Sequence, residues 1–218
     1  GGTNLLEICS ITENKAFATS TSTSAHAYGG GVSISGGKNT LTNCSITKNT
    51  ASASASVSVT ASGGGVCIED SGTNTLENCS ITENKAESSK YAEGGGVYIG
   101  GYSGTNTLTN CSITENKACT TSTSAYISAS GGGVYITGSG TNALTNCSII
   151  GNTASASASA SSSASASGGG VYIGGGTNTL TNCSITENRV ESSSNAEGGG
   201  IFISGGTNTL ENCSITGN

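Results

Sequence analysis

An all-β fold, a single-stranded parallel β-solenoid (β-helix), is predicted by three features of the 218-residue sequence. The first is repetition: Gly-Gly-Gly recurs at 29–31, 63–65, 94–96, 131–133, 168–170 and 198–200. The block Cys-Ser-Ile recurs with its Cys at 9, 44, 79, 111, 147, 183 and 213, at spacings of 30–36 residues. The second is strand alternation inside every repeat, with no apolar helical spacing anywhere. The third is composition, with 35 Gly, no Pro, Met or Trp, and a hydrophobic fraction of 33%. Such a chain has little to fill a wide core, whereas a column one coil wide needs few apolar side chains per turn.

The elements follow in order around a coil. In Val97-Tyr98-Ile99 the aliphatic residues share one face and Tyr98 points to the other, because strand side chains alternate. Thr107-Leu108-Thr109 sets Leu108 against two outward Thr. Cys111-Ser112-Ile113-Thr114 pairs Cys111 with Ile113, and Asn110 and Asn116 close these runs at sharp bends. This gives three short strands per coil and about 6.5 coils of 30–36 residues. One coil buries about five apolar side chains at roughly 1.5–3 kcal/mol each. Ordering it costs on the order of 1.5 kcal/mol per residue. Stacking on neighbouring coils at about 4.8 Å is therefore obligatory.

Variable Ala/Ser/Thr inserts separate each Cys block from the next Gly triplet. Their lengths are 14, 13, 9, 14, 15 and 9 residues, long-long-short twice over. Equivalent Cys lie 102–104 residues apart, which defines a three-coil super-repeat of about 103 residues. Alternation such as Ala51-Ser52-Ala53-Ser54 predicts an additional strand or a flat flap, the alternative being a polar loop. The sequence begins and stops inside a coil. The expectation is one continuous solenoid over 1–218, either a window of a longer solenoid or a subunit stacking end to end.

Net charge is −6, and the basic residues are few and scattered. That argues against nucleic acid, which needs clustered Lys and Arg. No stretch approaches the ~20 apolar residues that span a membrane.

Gly95-Gly96-Val97-Tyr98 and Ile113-Thr114-Glu115-Asn116 carry a family resemblance. They resemble the right-handed parallel β-helix repeats of the pectate-lyase-like fold. They are most similar to repeats of bacterial polymorphic outer membrane proteins and adhesin-like surface proteins, whose GG-aliphatic-aliphatic motif precedes an F-x-x-N motif. Ile replaces that Phe in every unit here. The resemblance covers the whole chain and implies right-handedness and an extracellular or cell-surface location.

The aligned Cys9, Cys44, Cys79, Cys111, Cys147, Cys183 and Cys213 form a stacked row, either buried thiols or inter-coil disulfides. Cys67 and Cys119 lie off the row. His26 is the sole His and no C-x-x-C occurs, so neither metal nor cofactor is expected. An outward column runs Ser33, Cys67, Tyr98, Tyr135, Tyr172, Phe202. Its aromatic members suit packing, lateral contact or sugar rings. Thr40/Thr42, Thr107/Thr109 and Thr179/Thr181 form a T-x-T face resembling β-helical ice-binding proteins, interrupted at Leu6, Glu77, Ala143 and Glu211. Asn-Cys-Ser triplets match the N-glycosylation acceptor, discounted because the Asn is expected in a bend bonded to its neighbours. The Ser/Thr-rich inserts suit O-linked glycans. Lys48 falls between Glu13 and Glu83 along one row.

Three functions remain. The foremost is a structural protein of an extracellular fibre or surface appendage, partnered by itself axially and laterally. The alternative is an adhesin shaft or glycan-binding module using the aromatic column. Ice binding is a minor third. An enzyme is not expected, because the carboxylate pair outside the repeat logic is Glu69-Asp70 in one turn.

Overall fold

The computed structural model describes residues 2–69, 72–122, 126–159 and 163–218. The coil that starts at Thr105 shows how the sequence is read out. Strand Thr105–Thr109 turns Asn106 and Leu108 inward and its Thr residues outward. Asn110 then bends the chain with a φ of 52°, so that Cys111 and, after it, Ile113 of strand Ser112–Thr114 also point inward. A second left-handed residue, Glu115 with a φ of 55°, swings the chain out into the insert. Strand Val134–Ile136 closes the coil, and a Gly-containing turn leads to Thr141–Thr145 directly above the start.

Coil stacks on coil in sequence order throughout. Two sheets carry seven parallel strands, from Thr3–Glu7 to Thr207–Glu211 and from Ser10–Thr12 to Ser214–Thr216. A six-stranded sheet runs from Val32–Ile34 to Ile201–Ile203. Like residues pair with like, as in Leu76, Leu108 and Leu144, or Ile81, Ile113 and Ile149. No helix among the described residues is long and apolar enough to cross a membrane.

The inserts carry two strands per coil, so each coil has five strands where the core pattern alone predicts three. One insert sheet runs from Lys15–Thr19 to Arg189–Ser192, the other from Ala25–Tyr28 to Asn195–Glu197. Residues 123–125 and 160–162, at two insert tips, lie outside the described residues. The sheets face each other through Ala51, Ala86, Ala118 and Ala154 on one side and Ala61, Ala92, Ala129 and Ala166 on the other. Alternating Ala and Ser therefore works as a strand pattern, Ala turned to the partner sheet and Ser to water.

The main core is a separate column of Val, Ile, Leu and Cys, with Leu108, Ile113, Val134 and Ile136 fully buried in the coil described above. Two buried Asn ladders border it. In one, Asn39, Asn74, Asn106, Asn142 and Asn178 pass side-chain hydrogen bonds of 2.8–2.9 Å up the axis. In the other, Asn49, Asn84, Asn116, Asn152 and Asn188 do the same at 2.9–3.0 Å. Asn116 thus does not make the bend assigned to it, because Glu115 takes the left-handed conformation and Asn116 anchors the next strand.

The Gly triplet has a steric cause. Gly94 adopts a φ of 63°. A Cβ on Gly95 would strike the carbonyl oxygen of Gly132 and the backbone of Lys117, where the insert sheet leaves the core. One on Gly96 would press on Gly133 and on the Asn116 side chain. The triplet is where the chain re-enters between its own insert and the next coil.

Candidate functional site

The seven aligned cysteines follow one another up the core column, and all nine in the chain are free thiols. From Cys44 upward each Sγ in the row donates to a Leu carbonyl one coil below, as Cys111 does to Leu76 and Cys147 to Leu108, both at 3.4 Å. Neighbouring thiols also couple. Hydrogen bonds with Cys147 and Cys79, and then burial, hold Cys111 far above the ordinary thiol range. Hydrogen bonding to Cys147, and then burial, does the same to Cys183. With the inner members 1–2% exposed, the row is sealed packing that solvent does not reach.

The outward column is the second feature, and it faces a concave stretch of surface. Strands Val97–Ile99, Val134–Ile136, Val171–Ile173 and Ile201–Ile203 pair in parallel with the central residue of each opposite the next. Tyr98, Tyr135, Tyr172 and Phe202 therefore stack along the axis, with ring centroids 5.4, 4.6 and 5.4 Å apart. The first three rings are parallel to within 10°. Tyr98 lies flat over Gly100, where a Cβ would collide with its ring. Below Tyr98 the column continues with Cys67, fully buried, and then Ser33.

Two carboxyl groups flank the lower end of this stack. Glu93, at the last position of strand Tyr91–Glu93, accepts a hydrogen bond from Ser62 Oγ at 3.5 Å. Burial, reinforced by the negative charge of Glu69, lifts its carboxyl to about 7. Burial also raises Glu69, against a partial opposing effect of His26. The same two carboxylates raise Tyr98, whose burial is the larger cause. An open cleft of about 880 Å³ adjoins Glu69, floored by Gly36 and Gly37 and walled by Glu69, Tyr98 and Tyr102. Tyr102 is 89% exposed. Asp70 of the predicted Glu69-Asp70 pair lies outside the described residues.

Sequence reasoning placed the Cys row and the aromatic column but missed Glu93. The signal was an acid that recurs with the three-coil period. Position 93 matches Ser62, Ser130 and Ser167 in neighbouring coils, and the acid returns only at Glu197, three coils on, in step with the super-repeat. The T-x-T face also needs one correction: Leu5, 65% exposed, takes the Thr40 position, while Leu6 pairs with Leu41 in the core. The triplet Asn row is bonded between coils, Asn146 to Asn110 at 3.2 Å, yet its side chains are exposed. Lys48 meets Glu83 at 3.9 Å on the surface, a contact of little energetic weight.

A family model described as a right handed beta helix region matches residues 2–166. No curated protein and no solved structure matches the chain.

Proposed function

Because the chain belongs to the right-handed β-helix family, we propose that it is a structural shaft, a rigid rod of an extracellular fibre or cell-surface appendage. One observation carries this reading: every coil presents the next with the same in-register rows of backbone donors and acceptors, Asn amides and apolar side chains. A coil of this kind accepts any equivalent coil on its axis, in the same chain or in another copy. The exposed Ser/Thr rows leave the sides of the rod uncharged over long stretches, open to lateral contact and to O-linked glycans. Electron microscopy of the protein at its native source tests the reading. Expected are straight rods with an axial period near ~15 Å, three coils at about 4.8 Å each. Compact particles with no axial period sink it.

A second reading rests on the cleft beside Tyr98. Aromatic rings next to carboxyl groups suit sugar rings, whose C–H faces stack while hydroxyls donate to carboxylates. A glycan array read with the intact protein and with Tyr102→Ala separates the two. Binding lost in the variant supports a glycan-binding shaft, and a blank array leaves the shaft alone. Catalysis has no part in either reading. A hydrolytic role would have to use Glu69 and Glu93, and release of reducing sugar abolished by Glu93→Gln would establish one.

A further inference from the structure

We propose that Tyr135 and Tyr172 are a site of oxidative cross-linking, joining ring to ring as a dityrosine when hydrogen peroxide and a haem peroxidase supply the oxidation. The proposal does not depend on the shaft reading, since it concerns only the chemistry of the stacked phenols.

Three observations carry it. The first is geometry. These two rings have the shortest centroid spacing in the column, 4.6 Å, and lie within 10° of parallel. In a phenoxyl radical the unpaired density at the ortho carbons occupies orbitals perpendicular to the ring. Face-to-face stacking therefore points the reacting orbitals at each other, and parallel ladders above and below hold the rings in that approach. The second is proton transfer. The Tyr172 hydroxyl shares a 3.1 Å hydrogen bond with Ser204 Oγ, and the Glu93 carboxyl is a charged neighbour of Tyr135. Tyr172 thus has an oxygen positioned to relay its proton as an electron leaves, and Tyr135 has a carboxyl group as a neighbour.

The third is the lack of competing sinks. The sequence contains no Met and no Trp, so one-electron oxidation falls on Tyr and Cys. The core thiols are shielded. Within the column the pair is bounded by Phe202, which has no phenol to oxidise, on one side. On the other side is Tyr98, whose next neighbour, Cys67, is a thiol able to return a hydrogen atom.

Each tyrosine loses one electron and its phenolic proton, together reducing one hydrogen peroxide to two waters at the peroxidase. The two ortho carbons form one C–C bond, and the hydrogen on each ortho carbon moves to its own phenol oxygen, restoring both rings. The product is two hydrogens lighter and ties two successive coils covalently.

The test oxidises the dilute intact protein with hydrogen peroxide and a haem peroxidase. Dityrosine fluorescence and intact mass are read, and the link is mapped by fragmentation. Expected is a monomeric product two hydrogens lighter, linked between Tyr135 and Tyr172. Tyr172→Phe, which preserves the stack but lacks the phenol, is expected to lose it. Tyr91→Phe, outside the column, is expected to retain it. Circular dichroism of each variant separates chemical loss from misfolding. Links mapping to the exposed Tyr102 between molecules, or a yield unchanged by Tyr172→Phe, overturn the proposal.

Discussion

Asn116 passes its side-chain amide to Oδ1 of Asn152 one coil above, at 3.0 Å, with both side chains at most 1% exposed. The same amide donates to the carbonyl of Ile81 at 2.8 Å. Oδ1 of Asn116 in turn receives both the backbone N–H and the side chain of Asn84, at 2.9 and 3.0 Å. One side chain thereby satisfies backbone groups at the mouth of the insert, where no sheet partner reaches them.

Removing that side chain is expected to be costly. Asn116→Ala leaves donors on Asn84 and the Ile81 carbonyl buried without partners, at about 1–3 kcal/mol for each such group. The expected loss is ~3–5 kcal/mol of unfolding free energy. Asn110→Ala, on the exposed row, is expected to cost only about 1–2 kcal/mol, chiefly for a left-handed residue without Asn's local compensation. Urea denaturation of the two variants checks the contrast, and equal midpoints would refute it.

The two kinds of Gly give a second contrast. Gly95→Ala drives a Cβ into the Gly132 carbonyl and the Lys117 backbone, neither of which can rotate away. The cost is expected to exceed the ~1–3 kcal/mol of ordinary overpacking. Gly151 has a φ of 64° but only the Glu115 side chain near its Cβ position, at 3.6 Å. Its equivalents Lys48, Glu83 and Glu115 already carry side chains there. Gly151→Ala should cost about 1 kcal/mol, and Glu115→Gly should stabilise by a similar amount. Thermal melts of the three variants decide this ordering.

The core column was legible because each of its rows carries a strong local signal. Val97, Leu108, Cys111 and Ile113 alternate with polar residues, and the same alternation returns coil after coil. The insert sheets were less legible, since Ala buries too little apolar surface to distinguish a strand from a loop. Only the partner sheet makes the burial of Ala51 and Ala118 complete. Asn116 was visible as a polar residue beside a bend, but its role depends on Asn84 and Asn152, more than thirty residues away in either direction. Glu93 is harder still. Its environment is made by Ser62 and Tyr135 from two other coils, and in the sequence only its return at Glu197 with the super-repeat marks it.

Thiol chemistry offers a third prediction. Cys44, Cys79, Cys111, Cys147 and Cys183 are 1–2% exposed and bonded to backbone carbonyls, whereas Cys9 and Cys213 are half-buried. Iodoacetamide applied to native protein is expected to modify Cys9 and Cys213 and spare the five inner thiols. All should react in denaturant, since a thiolate must form and be reached before alkylation. Peptide mapping by mass spectrometry reads the pattern. Rapid native labelling at Cys111 would show that the column opens, and a denatured protein resisting the reagent would show disulfides.

Glu93 makes stability depend on pH in an unusual direction. Its carboxyl, lifted to about 7 from an ordinary 4.5, holds its proton in the folded chain where the unfolded chain has released it. Between those two values the native state binds more protons, so unfolding free energy falls as pH rises. The stabilisation is complete below pH 4.5 and is lost by about pH 7. Discounted for the partial exposure of Glu93, the change is about 1–3 kcal/mol. Glu69, which is also raised, adds in the same sense. Glu93→Gln keeps a neutral hydrogen-bonding group beside Ser62 and Tyr135 and removes the titration. Denaturation curves at a series of pH values across this window should therefore slope downward for the natural chain and flatten in the variant. Equal slopes in both would show that Glu93 titrates in the folded chain as it does in water.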